Sequence, residues 1–217
     1  MPRKAPPKAA SPRVAKPKGP TPKSAPTRNA KASSPTAPTR FVAYIAVSLD
    51  GFIADPSGGV GWLDPYMDAA AGFSAFMKSV CAAVMGRATY DFTLNHPGAH
   101  GSLPCYVLTH RPLAPAPHVI PHSGDVTTLA DRIRREVPGD VWLAGGGVVL
   151  KAFLEADLVD IWRLFIIPAA LGDGIPLLPR TSFVPRHLSL TGTHTFKSGV
   201  VELDYERQPP RRTKQRT

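Results

Sequence analysis

Three short stretches of the chain combine residue types suited to holding phosphate. Gly145-Gly146-Gly147 follows the apolar run 141–144 and leads into the helical pattern 147–158. At such a junction the first-turn N–H groups point out unpaired, and without a Cβ in the way a diphosphate can approach them. The same glycines also suit a tight turn that packs a helix on a strand, and the residues alone leave both readings open. Neither G-x-x-x-x-G-K-[ST] nor G-x-G-x-x-G is present. Gly86-Arg87-Ala88-Thr89 forms a second junction after Met85. Arg87 can pair bidentately with a phosphate or form a surface ion pair, and the Thr89 hydroxyl can join helix N–H groups around an anion. Thr109-His110-Arg111 lies just beyond a third apolar run. Three strand ends with this chemistry imply one extended polyphosphate ligand, and a dinucleotide with an additional phosphate is the natural candidate.

Such a ligand requires strands whose ends lie together. Apolar, β-branched runs predict strands over 40–54 (closing at the turn pair Asp50-Gly51), 81–86, 105–110, 118–120, 141–144 and 159–171. Helices are expected over 67–79, 87–92, 127–137 and 147–158, the third carrying Leu129, Ile133 and Val137 at i, i+4, i+8. Residues 187–207 read as a hairpin closed by Lys197-Ser198-Gly199. Strands alternating with helices predict an α/β fold, a mainly parallel central sheet with flanking helices and a C-terminal antiparallel hairpin. Ligands of such sheets bind beyond the carboxyl ends of the strands.

Charge divides the 217 residues into three parts. Residues 1–40 hold ten Lys or Arg, ten prolines and no acid, and residues 207–217 hold five basic residues and no acid. The span 41–206 has eleven bases against sixteen acids, so the basic character belongs to the ends. Both ends are expected to be disordered tails, since they offer too little apolar surface to offset ordering entropy. The N-terminal tail can contact polyanions nonspecifically through counterion release. A polyanion-binding protein acting through its tails is therefore an alternative from another class. No secretory or membrane-spanning pattern is expected, which leaves the cytoplasm as the default location. Cys81 and Cys105 lack C-x-x-C spacing and are expected to be buried free thiols. His96 and His100 flank Pro97-Gly98, which precludes a helix there, and no metal site is expected.

The segments YIAVSLDGFIA, VMGRATY, YVLTHRP, WLAGGGVVLKAFL and LFIIPAALGDGIPLL stand in the order and at about the spacing of the dihydrofolate-reductase-like superfamily. Together they resemble most the branch with the reductase domain of the riboflavin-biosynthesis deaminase-reductase, over residues 41–206. The resemblance implies an NADPH-dependent oxidoreductase acting on a CH-OH/C=O or C=N type group of a pyrimidine or pteridine-like substrate. A 5-amino-6-(5-phosphoribosylamino)uracil reductase-like activity heads the list, dihydrofolate reduction is the alternative, and a homodimer is implied. It places Arg87 on the 2′-phosphate, Gly86 and Thr89 on the phosphates, and Thr109 and Arg111 beside the adenosine. Gly145, Gly146, Gly147 and Val148 would carry the diphosphate, with a cis peptide between Gly145 and Gly146.

Ala46 and Ile53 with Ala54 would line the nicotinamide, and Gly172-Asp173-Gly174 would support a segment, 54–64, lying over it. Asp50 resembles the acid that ends the first strand, although Asp before Gly also simply makes a turn. Asp50 and Asp68 are the catalytic candidates. Asp64 and Asp68 both follow Trp62, yet neither has the spacing of the folate-reductase acid, and that family's partner threonine is missing from LFIIP. Lys78 and Lys151 are the basic residues available to a phosphorylated substrate, and both read as solvated. No H-x-E and P-C-x-x-C deaminase half accompanies the reductase part.

Overall fold

The computed structural model describes residues 38–95, 101–180 and 184–208. β1 (Arg40–Ser48) lies inside the sheet because both of its faces are apolar. Phe41, Ala43 and Ile45 enter one core cluster, while Val42 and Tyr44 pack in another. β2 (Phe52–Ala54) follows directly after the Asp50-Gly51 turn. A 3₁₀ segment (Gly61–Gly72) then runs into α1 (Phe73–Ser79). The sequence predicts an α-helix from Met67, but Pro65 lacks an N–H and Tyr66 leaves helical geometry, so α-type bonding starts only at Phe73.

The chain continues through β3 (Val80–Gly86), α2 (Arg87–Leu94), β4 (Cys105–Leu108), β5 (Val119–His122), α3 (Val126–Glu136), β6 (Asp140–Gly145), α4 (Gly147–Glu155) and β7 (Ile161–Ile167). After β8 (Ile175–Pro176) it ends with the hairpin of β9 (Leu188–Thr195) and β10 (Val201–Arg207). The main sheet has the order β5-β4-β3-β6-β1-β7-β10-β9. β5 to β7 pair in parallel and β10 runs antiparallel to both neighbours, as the sequence predicts. β2 and β8 form a separate two-stranded ribbon, too short for any periodicity to announce.

α3 and α4 cover one face, where Leu129, Ile133, Leu150 and Phe153 are fully buried against β1, β3 and β6. α3 is capped by Asp125, whose carboxylate accepts from the N–H groups of Thr127 and Thr128 at 2.9 Å each. On the other face Tyr44, Phe73, Phe76 and Trp142 form an aromatic cluster, with Tyr44 and Phe76 stacked at 4.2 Å.

Two residues assigned to the tails belong to strands. Arg40 begins β1 and pairs with Asp140 at 2.8 Å, while Arg207 ends β10 and pairs with Asp157 and Asp160 at 3.1 Å. Cys105 is buried as expected, and burial pushes its thiol up to about 12. Cys81 is exposed instead, because it occupies the outward position of β3 next to buried Val80 and Ala82. His96 and His100 lie outside the described residues, as do most of both tails. Among the described residues no helix is long and apolar enough to cross a membrane.

Candidate active site

Parallel β3 and β6 are neighbours, with Met85 paired to Gly145, so α2 and α4 start side by side at the carboxyl edge of the sheet. Both helices begin at a glycine, Gly86 and Gly146, and neither has a capping side chain. Their first-turn N–H groups therefore present a joint partial positive charge, whereas α3 already has the carboxylate of Asp125 at its start. This contrast identifies α2 and α4 as the pair able to take an outside anion.

The three consecutive glycines answer to three different requirements. Gly145 has φ +95°, a conformation that L side chains avoid. A Cβ on Gly147 would overlap the carbonyl oxygen of Pro176 and lie 3.1 Å from Pro179 Cδ, so this glycine admits the protein's own chain. At Gly146 a Cβ would meet neither obstacle, since φ is negative and its neighbours are Thr89 Oγ1 at 3.6 Å and Ile53 Cδ1 at 4.0 Å. Gly146, Thr89 and Ile53 thus come together, and the Gly145–Gly146 peptide is cis. Gly86 has an internal reason too, since its Cβ would stand 3.1 Å from Val149 Cγ2. Val148, on the first turn of α4, is 76% exposed.

Arg87 is partly committed. Its Nε donates to Asp91 Oδ1 at 2.7 Å and Nη1 to the Pro112 carbonyl at 3.2 Å, which leaves further N–H groups of the guanidinium for an anion. The ion pair and the phosphate reading are therefore compatible. The second bond ties α2 to the loop after β4, where Arg111 is exposed and has no ion-pair partner among the described residues. The Thr109 hydroxyl is occupied, accepting from the Arg111 N–H at 3.1 Å and donating to its carbonyl at 3.0 Å. Thr109 consequently shapes the loop that presents Arg111.

Asp50 and Asp68 are held by structural hydrogen bonds. Asp50 accepts from Ser48 Oγ at 2.6 Å and from the backbone N–H groups of Gly172 and Leu171 at 2.7 and 3.1 Å. The Ser48 hydroxyl and these amides hold its carboxyl down at about 2. The same loop reaches further, because a Cβ on Gly174 would overlap the Ala54 carbonyl and Leu177 N donates to Gly51 O at 2.9 Å. Residues 171–177 therefore connect the end of β1, β2 and the start of α4. Asp68 accepts from Ser198 N at 3.0 Å at the turn of the terminal hairpin, and Ser198 keeps its pKa low. Both carboxylates are ionised acceptors, the opposite of a proton donor. Asp55 curls the segment after β2 on itself, accepting from Ser57 and Gly59.

A depressed folded pKa contributes stability that is present above the unfolded value of 3.8 and lost as pH falls toward about 2. Asp50→Asn is expected to lower the melting temperature at pH 7 and to flatten its decline between these two pH values. Thermal scans across an acid pH series measure this.

Next to Ala46 lies a cavity of about 140 Å³. Its floor is Tyr44 and Ala46 of β1 with Phe165 and Ile167 of β7, and its opposite wall is the helical segment bearing Leu63, Tyr66, Met67, Ala70 and Phe73. Met67 stands at the mouth, 60% exposed. No acidic or basic side chain among the described residues lines it. Burial, with Glu202 nearby, pushes the Tyr44 hydroxyl up to about 12, so it stays protonated. Met67 and Tyr66 are not candidates in the sequence reading. The spacing of Leu63, Tyr66, Met67 and Ala70 carries their signal, but it is the same stripe that a core-facing helix shows.

The model of the RibD C-terminal domain matches residues 40–202. The uncharacterized protein YwjB of Bacillus subtilis (strain 168) is 34% identical over 170 residues, 76% of this chain and 97% of its own. A crystal structure from Shewanella sp. PV-4, of a protein named for riboflavin biosynthesis, superposes with a TM-score of 0.71 at 26% identity and covers 78% of this chain and 99% of its own. The dihydrofolate reductase of Enterococcus faecalis complexed with NADP(H) has a TM-score of 0.58 at 20% identity over 78% of this chain and 97% of its own. The fold is dihydrofolate-reductase-like.

Proposed function

The chain belongs to the RibD C-terminal domain family, and on that premise we propose that it is an NADPH-dependent reductase acting on a small planar ring compound. The observation that carries this reading is the pair of uncapped helix starts on neighbouring strands, meeting at Gly146 and Thr89. A dinucleotide diphosphate suits those N–H groups, and Ile53 and Ala46 lead from them toward the cavity. Bound NADPH would supply the hydride. The chain's own part is to hold the diphosphate with Gly146, Val148 and Thr89, to meet the 2′-phosphate with Arg87, and to place Arg111 beside the adenosine. Ala46, a small residue, lets a flat ring rest on the sheet, and the apolar walls exclude water from it. Asp50 acts as a positioning residue through residues 171–172. A cytoplasmic homodimer belongs to the same proposal.

Dihydrofolate reduction is less well supported, since a C=N bond accepts hydride readily only when an acid protonates it, and no carboxylate lines the cavity among the described residues. Thr89→Val tests the cofactor reading. It is expected to weaken NADPH binding about tenfold, the loss of one hydrogen bond to a charged group, with an unchanged melting temperature. Calorimetric titration measures it, and unchanged affinity would contradict the placement of the diphosphate. NADPH consumption against a panel of pyrimidines, pteridines and other ring compounds tests the activity.

A further inference from the structure

The cavity beside Ala46 constrains the hydride acceptor more narrowly than the family does. We infer that the acceptor is an uncharged, conjugated ring carbonyl of the quinone class, not a phosphorylated sugar-bearing pyrimidine. The inference rests on the reductase reading above.

Two observations carry it. The first is the lining, which is aromatic and aliphatic throughout, with the Tyr44 and Tyr66 hydroxyls as its polar side-chain groups. Transfer of a phosphate or carboxylate into such walls without a cationic partner is strongly unfavourable. Lys78 and Lys151 do not line the cavity; Lys151 instead donates to the Arg180 carbonyl and pairs with Glu155. Arg163, on the same sheet face, is held by Asp204 at 2.6 Å and Glu202 at 3.2 Å. The exposed Leu49 and Met67 add apolar surface at the end of β1 and at the cavity mouth, where a hydrophobic ligand would cover them.

The second observation is that no acid lines the cavity among the described residues. Asp50 and Asp68 are ionised and turned to backbone N–H groups, and the Tyr44 hydroxyl is a very weak acid in its buried setting. Reduction here must proceed without prior protonation of the acceptor, and conjugated carbonyls meet that condition. Bound NADPH would supply the hydride, which would form a C–H bond at an acceptor carbon conjugated with the carbonyl, and the displaced π electron pair would move onto the carbonyl oxygen, where the conjugated system delocalises the charge. Water entering at the open mouth beside Met67 then protonates that oxygen. NADPH, the acceptor and one proton become NADP⁺ and the reduced acceptor, which balances two electrons and two protons. The ring would lie against the tilted pair Tyr44 and Phe165, which line the cavity with their own centroids 4.7 Å apart.

The test uses the full chain, 2-methyl-1,4-naphthoquinone as probe and 5-amino-6-(5-phosphoribosylamino)uracil as comparator. Calorimetry is expected to show binding of the quinone and none of the comparator, and NADPH is expected to be consumed with the quinone alone. Met67→Asp, which puts a carboxylate at the mouth, is expected to weaken quinone binding about tenfold and to leave NADPH affinity unchanged. Met67→Leu is expected to keep both. Tighter binding or faster reduction of the comparator would overturn the inference, as would quinone affinity indifferent to Met67→Asp. Retained NADPH binding with no quinone binding would overturn the inference and spare the reductase reading, whereas loss of NADPH binding by the unaltered chain would overturn that reading itself.

Discussion

Gly147→Ala is expected to lower the melting temperature by about 10 °C, while Gly146→Ala lowers it far less and abolishes tight binding of NADPH. At Gly147 the new methyl group would overlap the Pro176 carbonyl and press on Leu177 O at 3.2 Å. Backbone cannot swing aside as a flexible side chain can, so either α4 or the β8 segment must shift. Overpacking of this kind costs about 3 kcal/mol, and a domain of this size loses roughly 3 °C per kcal/mol. At Gly146 the methyl would meet Thr89 and Ile53 at ordinary contact distances. It would occupy the space that a diphosphate needs to reach the α4 N–H groups. Thermal scans and NADPH titrations of the two variants measure the contrast. Equal destabilisation by both would mean that Gly146, like Gly147, is a packing glycine.

Arg87→Ala is expected to raise the Kd for NADPH about 50-fold and the Kd for NADH less than about twofold. A charge-assisted pair with a phosphate contributes about 2.3 kcal/mol, which converts to that ratio, and NADH has no 2′-phosphate to lose it. The contrast between the two dinucleotides is the informative quantity, because Arg87 also braces the loop after β4 through the Pro112 carbonyl. A disturbed loop would weaken both ligands alike. Arg87→Lys keeps the charge but loses the planar fork and is expected to recover only part of the preference. Parallel titrations of the variants supply the numbers, and an equal loss for NADPH and NADH would remove Arg87 from the 2′-phosphate.

The sheet was legible in the sequence because its inner strands are apolar on both faces. Val141 and Leu143 on β6 and Ala82 to Met85 on β3 form short unbroken runs of the kind that parallel sheets bury. α3 announced itself through Leu129 and Ile133, both fully buried. The β2–β8 ribbon did not, since strands of two and three residues have no periodicity to read. Gly147 shows the limit most clearly. Its partner, the Pro176 carbonyl, lies far along the chain, so local sequence suggests a ligand where the fold supplies its own backbone. Asp50 suggests acid chemistry by its place at the end of the first strand and Asp68 by following Trp62, and only their N–H partners from residues 171, 172 and 198 reveal bracing. Met67 was hidden for the opposite reason, as an apolar residue in a helical stripe that turns out to border a cavity.

We propose the carboxyl edge of β3 and β6 as the seat of a dinucleotide bearing a 2′-phosphate. Calorimetric titration of the full chain with NADPH and with NADH tests it most directly. One NADPH per chain is expected to bind, at least about tenfold more tightly than NADH, as a single charge-assisted phosphate contact requires. A folded chain that binds neither dinucleotide would contradict it.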